Sequence, residues 1–189
     1  MTIGFNDQAG FLQIRVNDDQ VQHLIQSVLS PAAIKRVQRR AINETSAWVK
    51  SRVLRELPAA LEIPRKLLSK RIKVTKAKAS AGNAISGLVW LGLKPVDAMQ
   101  FKDKGPSGTG YQTGKYFFEG GFKAFYKSHP GHTGIFSRVS SKRLAIKRLN
   151  VPIDTVGNQI VRRLIPQAEQ ALAQKTSRLV SYELERAAS

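Results

Sequence analysis

The chain contains no cysteine, so disulfides, thiolate nucleophiles and thiolate metal sites are excluded at once. Acid is scarce as well: 13 Asp and Glu face 31 Lys and Arg, a formal charge of +18. A surface so unbalanced repels itself, and an anionic partner is expected, nucleic acid ahead of an acidic protein ring or a membrane surface. Long apolar runs are missing too. The longest, residues 84–93, is interrupted by Ser86, Gly87 and Gly92 and is about half the length a membrane-spanning helix needs. Met1 to Asp7 carry neither a basic nor a long apolar region, so they do not read as a signal peptide. A cytoplasmic, soluble origin is the expectation.

What is present is the composition of an ordinary folded protein. Hydrophobic residues make up 42% of the chain, too many for a disordered one, and 189 residues are enough for one sizeable core. A single domain over residues 1–189 is the expectation. Residues 1–16 read as an extended or weakly ordered lead-in with strand-like alternation at Phe11, Leu12, Ile14 and Val16. Asn17 and Asp18 then offer caps for a helix carrying Val21, Leu24, Ile25, Val28 and Leu29.

Ser30-Pro31 is a helix N-cap followed by the position where proline is best tolerated, so a second helix is expected to run from here to about Leu57. At 100° per residue, Ile34, Val37, Ala41, Ile42, Thr45, Trp48, Val49 and Val53 share one face, with Arg36, Arg39, Arg40 and Lys50 opposite. Ile63-Pro64 restarts the chain, and Pro64 to Lys70 suffices for two helical turns. From Arg71 the period becomes two, and residues 71–78 and 84–93 around the Ser80 to Asn83 turn predict a β-hairpin.

Residues 94–115 hold Pro95, Pro106, Gly105, Gly108, Gly110 and Gly114 without periodicity, which predicts a long exposed loop, flexible over 102–115. An aromatic stretch follows at Tyr116 to Phe118 and Phe122 to Tyr126. Gly134 to Val139 and Leu144 to Leu149 read as paired strands. Asp154 is a candidate cap for a C-terminal helix with a kink or break at Pro166. Helices, then strands, then a helix indicate an α+β fold: long N-terminal helices, a central antiparallel sheet with a hairpin and long loop, and a C-terminal helix.

Motifs for chemistry fail on spacing. Gly114-Lys115 has Thr109 where a phosphate-binding loop needs its first glycine, and Tyr116 where it needs the magnesium-ligating hydroxyl. His129 and His132 are close in sequence, but with His23 as the third histidine and no nearby carboxylate before Asp154 a metal site is poorly supplied. Asp97, Asp103, Glu119 and Asp154 are scattered, and no catalytic motif surrounds them. No enzyme, cofactor or metal is expected.

The basic clusters are more specific. Arg65, Lys66, Lys70, Arg71, Lys73, Lys76 and Lys78 form a stretch without an acid, and Arg138, Lys142, Arg143, Lys147 and Arg148 form a second. Each can neutralise several phosphates, and a strand sets alternate lysines on one face. Without a helix-turn-helix, zinc finger or aromatic RNA-binding signature, nonspecific backbone contact is the expected mode.

The order of several segments resembles the minor tail protein Z family of tailed bacteriophages. Arg40-Ala41-Ile42-Asn43-Glu44-Thr45 is similar to its "RAINxT" pattern, and Ile63 to Leu68 leading into Arg71 to Ala77 resembles "IPxKxLxxRIKVxKA". Gly87 to Gly92 and Phe122 to Phe125 follow in order. Ile135 to Arg138 and Arg143 to Ile146 are similar to "VFxR…RLPI", with Ala145 where the family has proline. The likeness covers about residues 34–153. It implies a structural virion protein at the head-proximal end of a tail, a tail-terminator or tail-completion type of α+β subunit assembled in the bacterial cytoplasm. It further implies a hexameric ring joined to tail-tube and head-tail connector proteins around phage DNA, held nonspecifically. The two basic clusters would then be DNA-lumen or partner surfaces. The alternatives are a free nonspecific DNA-binding protein of phage or bacterial origin, and an enzyme without a linear motif.

Overall fold

The computed structural model describes residues 2–15, 29–79, 84–125, 133–140 and 145–188. The helix expected from Asn17 and the turns at residues 80–83 and 141–144 lie outside these. The fold is α+β, with two long helices, a four-stranded sheet and three smaller sheets.

Helix α1, Pro31–Leu61, starts as expected, with Ser30 Oγ accepting from the Ala33 N–H at 3.3 Å and Pro31 in the first turn. It runs one turn past Leu57 and through Pro58, because Leu57, Pro58 and Leu61 are all buried. It ends where Glu62 takes a left-handed conformation, φ 59°, and Ile63 N–H reaches back to the Pro58 carbonyl at 3.1 Å. A short helix, α2, Arg65–Ser69, follows.

The main sheet has the order β1-β2-β4-β3, all antiparallel: β1 Thr2–Asn6, β2 Phe11–Arg15, β3 Ile72–Ala79 and β4 Ile85–Leu91. The lead-in is therefore a hairpin. Its first strand is held by β2, whose other partner β4 lies some seventy residues away. The expected β3–β4 hairpin is present, with a bulge between Thr75 and Lys78. Ile3, Leu12, Ile14, Ile72, Ile85, Val89 and Leu91 point to the core side. There α1 comes so close that a Cβ on Gly87 would sit 2.5 Å from Ile42 Cγ2.

Helix α3, Asp154–Ala188, is continuous through Pro166, so of the expected kink or break the break does not occur. Pro166 is exposed, on the solvent side of the helix, where its missing N–H is best tolerated. Asp154 is not the cap: the Gly157 N–H bonds the Ile153 carbonyl at 2.9 Å, leaving Asp154 as an acid in the first turn, where the helix dipole favours it. Gly157, Ile160, Val161, Leu164, Ala168, Leu172, Thr176 and Leu179 recur at three- and four-residue spacing and are buried. The pairing with α1 is antiparallel, as three cross-helix ion pairs show: Arg36–Glu183 at 3.2 Å, Arg178–Glu44 at 2.6 Å and Arg163–Glu56 at 2.6 Å.

Residues 94–115 are mostly not a loop. Val96–Asp97 (β5) pairs with Asn150–Val151 (β12), a 3-10 turn covers Ala98–Gln100, and Asp103–Ser107 (β6) pairs with Gly110–Thr113 (β7). Tyr116–Glu119 (β8) completes the sheet β6-β7-β8. Gly108, φ 53°, makes the tight turn, and Pro106 is accommodated because β6 is an edge strand. Among the glycines that suggested a loop, Gly110 allows β7 and β8 to approach, since a Cβ there would collide with the Phe118 carbonyl oxygen. Gly121–Phe125 (β9), Thr133–Arg138 (β10) and Ile146–Arg148 (β11) form the sheet β11-β10-β9, with β10 and β11 paired as expected.

Candidate nucleic-acid interface

Ion pairing inside the fold sorts the cations. Asp7, Glu44, Glu56, Asp97 and Glu183 are each held by an arginine, and Asp103 by Lys123. The planar guanidinium suits such pairs. Among the described residues most lysines are exposed, and the excess charge is a surface property.

Within the first basic cluster, Arg65 and Lys66 sit on α2, Lys70 follows it, and Lys73, Lys76 and Lys78 lie on edge strand β3. All six are exposed, and their side chains engage no partner among the described residues. Arg71 differs: it is half-buried and its Nη1 donates to the Lys94 carbonyl at 2.7 Å, so it ties β3 to the chain after β4.

The second cluster is more occupied than its sequence suggests. Arg148 pairs with Asp97, and Arg138 lies over the Phe122 ring at 5.7 Å. Lys147 is exposed, while Lys142 and Arg143 lie outside the described residues. The clusters belong to different sheets, β1-β2-β4-β3 and β11-β10-β9.

Helix α1 adds cations not counted among the candidates. Lys35, Arg36, Arg39 and Arg40, with Asn43 and Glu44, line a shallow groove of about 650 Å³. Arg36 and Arg40 are paired with Glu183 and Glu44, whereas Lys35 and Arg39 engage no described residue. The three- and four-residue spacing was the available signal.

Of the carboxylates weighed for catalysis, Asp97 and Asp103 are committed to structure, while Glu119 and Asp154 are exposed. Asp97 accepts from the Met99 N–H at 3.0 Å as well as from Arg148. Asp103 accepts from Tyr111 Oη at 2.6 Å, Lys123 Nζ at 2.7 Å and the Gly105 N–H at 3.1 Å. The bonds from Lys123 and then Tyr111 hold the Asp103 carboxyl below its ordinary range. Burial, followed by the Asp103 bond, pushes the Tyr111 phenol up, and Asp103 likewise raises Lys123. His129 and His132 lie outside the described residues. Among the described residues, no three His, Asp or Glu side chains converge as a metal site would require. No helix among them is long and apolar enough to cross a membrane.

The class defined by this geometry is an α+β protein with an antiparallel helix pair, an open antiparallel sheet and a lysine-bearing edge. No family model, curated protein or solved structure matches the chain.

Proposed function

We propose that the protein is a structural, non-catalytic component of a tailed-bacteriophage virion, a minor tail or tail-completion subunit at the head-proximal end of the tail. In this reading it forms a ring, hexameric by the resemblance, between tail-tube and head-tail connector proteins and around the DNA channel. The observation that carries it is the α2–β3 stretch, whose segment pattern supplies much of the family likeness and whose six exposed cations engage no partner among the described residues. Such side chains are available to offset phosphate charge or to meet an acidic neighbour. Negative-stain imaging of tails assembled with and without the chain tests the reading. Tails lacking it should fail to join heads, and the purified chain should add as a ring at one tail end. A chain that stays monomeric and never associates with tails overturns the proposal.

The second reading, a free nonspecific DNA-binding protein, is favoured by the same uncompensated lysines. It requires that the monomer bind duplex DNA with affinity falling steeply in salt, about 0.9 in log-log slope per phosphate neutralised. A ring subunit acts through collective charge, so weak monomer binding favours the first reading.

A further inference from the structure

The register of the main sheet places one row of residues from each strand on the face opposite the core. Asn6, Phe11, Trp90 and Lys73 are consecutive cross-strand partners, as are Gly4, Gln13, Leu88 and Thr75, then Thr2, Arg15, Ser86 and Lys78. These three rows carry three cations, two aromatics and no acid. Trp90 is 39% exposed, Lys73, Lys78 and Arg15 are exposed, and Phe11 and Leu88 are half-buried. Asp7 and Asp154 lie in a cleft beside Trp90, and Asp7 is in an ion pair with Arg162 at 2.6 Å.

We propose that this open sheet face binds single-stranded nucleic acid, stacking bases on Trp90 and Phe11 and holding phosphates with Lys73, Lys78 and Arg15. Neighbouring strands are about 4.8 Å apart, so Trp90 has Phe11 on one side and Lys73 on the other at stacking and phosphate-contact spacing. The Lys78–Arg15 row is roughly 13 Å along the strands from Trp90, which lets a short run of nucleotides cross the sheet between two cationic rows. The occupant follows from charge and from the rings together. A polyanion matches the acid-free face, and unpaired bases alone offer free π surfaces, since in a duplex each base is already stacked on its neighbours. A second copy of the chain would set three cations against three. The inference rests on the sheet register and not on the virion reading.

The test uses the full chain and a dT oligonucleotide of about fifteen residues, within the usual site size of single-strand binding surfaces. The chain has two tryptophans, Trp48 and Trp90, which permits a site-specific optical reading. The oligonucleotide should quench the fluorescence of the Trp48→Phe variant and leave that of Trp90→Phe nearly unchanged. By anisotropy, Trp90→Ala should weaken binding roughly tenfold while Trp90→Phe largely retains it. Lys73→Ala with Lys78→Ala should reduce the log-log salt slope by about 1.4, two single-strand phosphate contacts. Equal affinity for a duplex of the same length together with an inert Trp90→Ala overturns the proposal. So does displacement of the oligonucleotide by vesicles of phosphatidylserine and phosphatidylcholine at matched charge, or a Trp90 emission shift that depends on protein concentration alone. Because particle imaging reads the virion proposal and Trp90 fluorescence reads this one, either can fail without the other.

Discussion

The helix pair with its four-stranded sheet and the group of small sheets that follows are held by different means. In the first, Ile42, Leu57, Leu61, Leu164 and Leu172 are almost fully removed from solvent inside one apolar cluster that also takes in β1 to β4. In the second, Val96, Phe101 and Val151 join that same cluster, a separate one consists of Ala98, Tyr111 and Ile135, and polar bonds add to the fastening. Thr113 Oγ1 donates to the Ala98 carbonyl at 2.9 Å, Arg148 pairs with Asp97, and Asp103 gathers Tyr111, Lys123 and Gly105. Apolar burial carries no charge to titrate, whereas the Asp103 cluster does. Loss of order at acid pH should therefore begin in the small sheets, while the arginine–carboxylate pairs across α1 and α3 answer to salt.

Large-to-small change in the helix pair is the strongest test of that contrast. Leu172→Ala should cost about 2–5 kcal/mol in denaturant unfolding. A value under 1 kcal/mol would mean that α3 contributes little. Gly87→Ala drives a methyl group against Ile42 Cγ2 and should cost about 1–3 kcal/mol, and in a cycle with Ile42→Ala, which removes that atom, the two changes should cost less together than the sum of each alone.

Asp103→Asn should have a smaller and local effect, raising amide exchange in β6, β7 and β9 while α1 and α3 keep their protection. Its pH dependence has a definite sign. The folded Asp103 carboxyl is held low, so its contribution is present above the ordinary carboxylate range and is lost as pH falls through the folded value, below about pH 4. Tyr111 and Lys123 are raised, so theirs is complete below about pH 10 and is lost as pH rises through their folded values. Near-ultraviolet circular dichroism of the tyrosines should follow both edges in the native protein and lose the acid edge in Asp103→Asn.

Thr45 is fully buried in the helix pair, and its hydroxyl finds no partner among the described residues. Thr45→Val should stabilise by about 1 kcal/mol in thermal unfolding, since an unpaired hydroxyl is replaced by a methyl group of similar size. The smallest change is expected for Lys73, Lys76 and Lys78 replaced together by glutamine. Stability should move within about 0.5 kcal/mol, while affinity for a polyanion falls.

Long-range pairing divides what was legible in the sequence from what was not. Helix α1 was readable from Ser30-Pro31 and its apolar face, and the β3–β4 and β10–β11 hairpins from local alternation. β1 escaped because it exists through β2, and β2 through β4, a pairing that no neighbouring residue encodes. The glycine-rich stretch misled for the opposite reason: its strands are defined by backbone approach rather than by alternating side chains. Of the interface residues, the α2–β3 lysines were visible as a charge run. Arg15, Phe11 and Trp90 come together with Lys73 only through the sheet register, and Arg71 and Arg148 proved to have structural partners.

The antiparallel pairing of α1 and α3 also has a consequence for the nascent chain. The apolar face of α1 leaves the ribosome before the β region, and its long-range partner follows only after that region has been made. At roughly 5–20 residues per second the delay is on the order of ten seconds. The β3–β4 hairpin can shield part of that face meanwhile, but the remainder waits for α3. Protection of that remaining face during synthesis should therefore be timed by the emergence of Leu164 to Leu179.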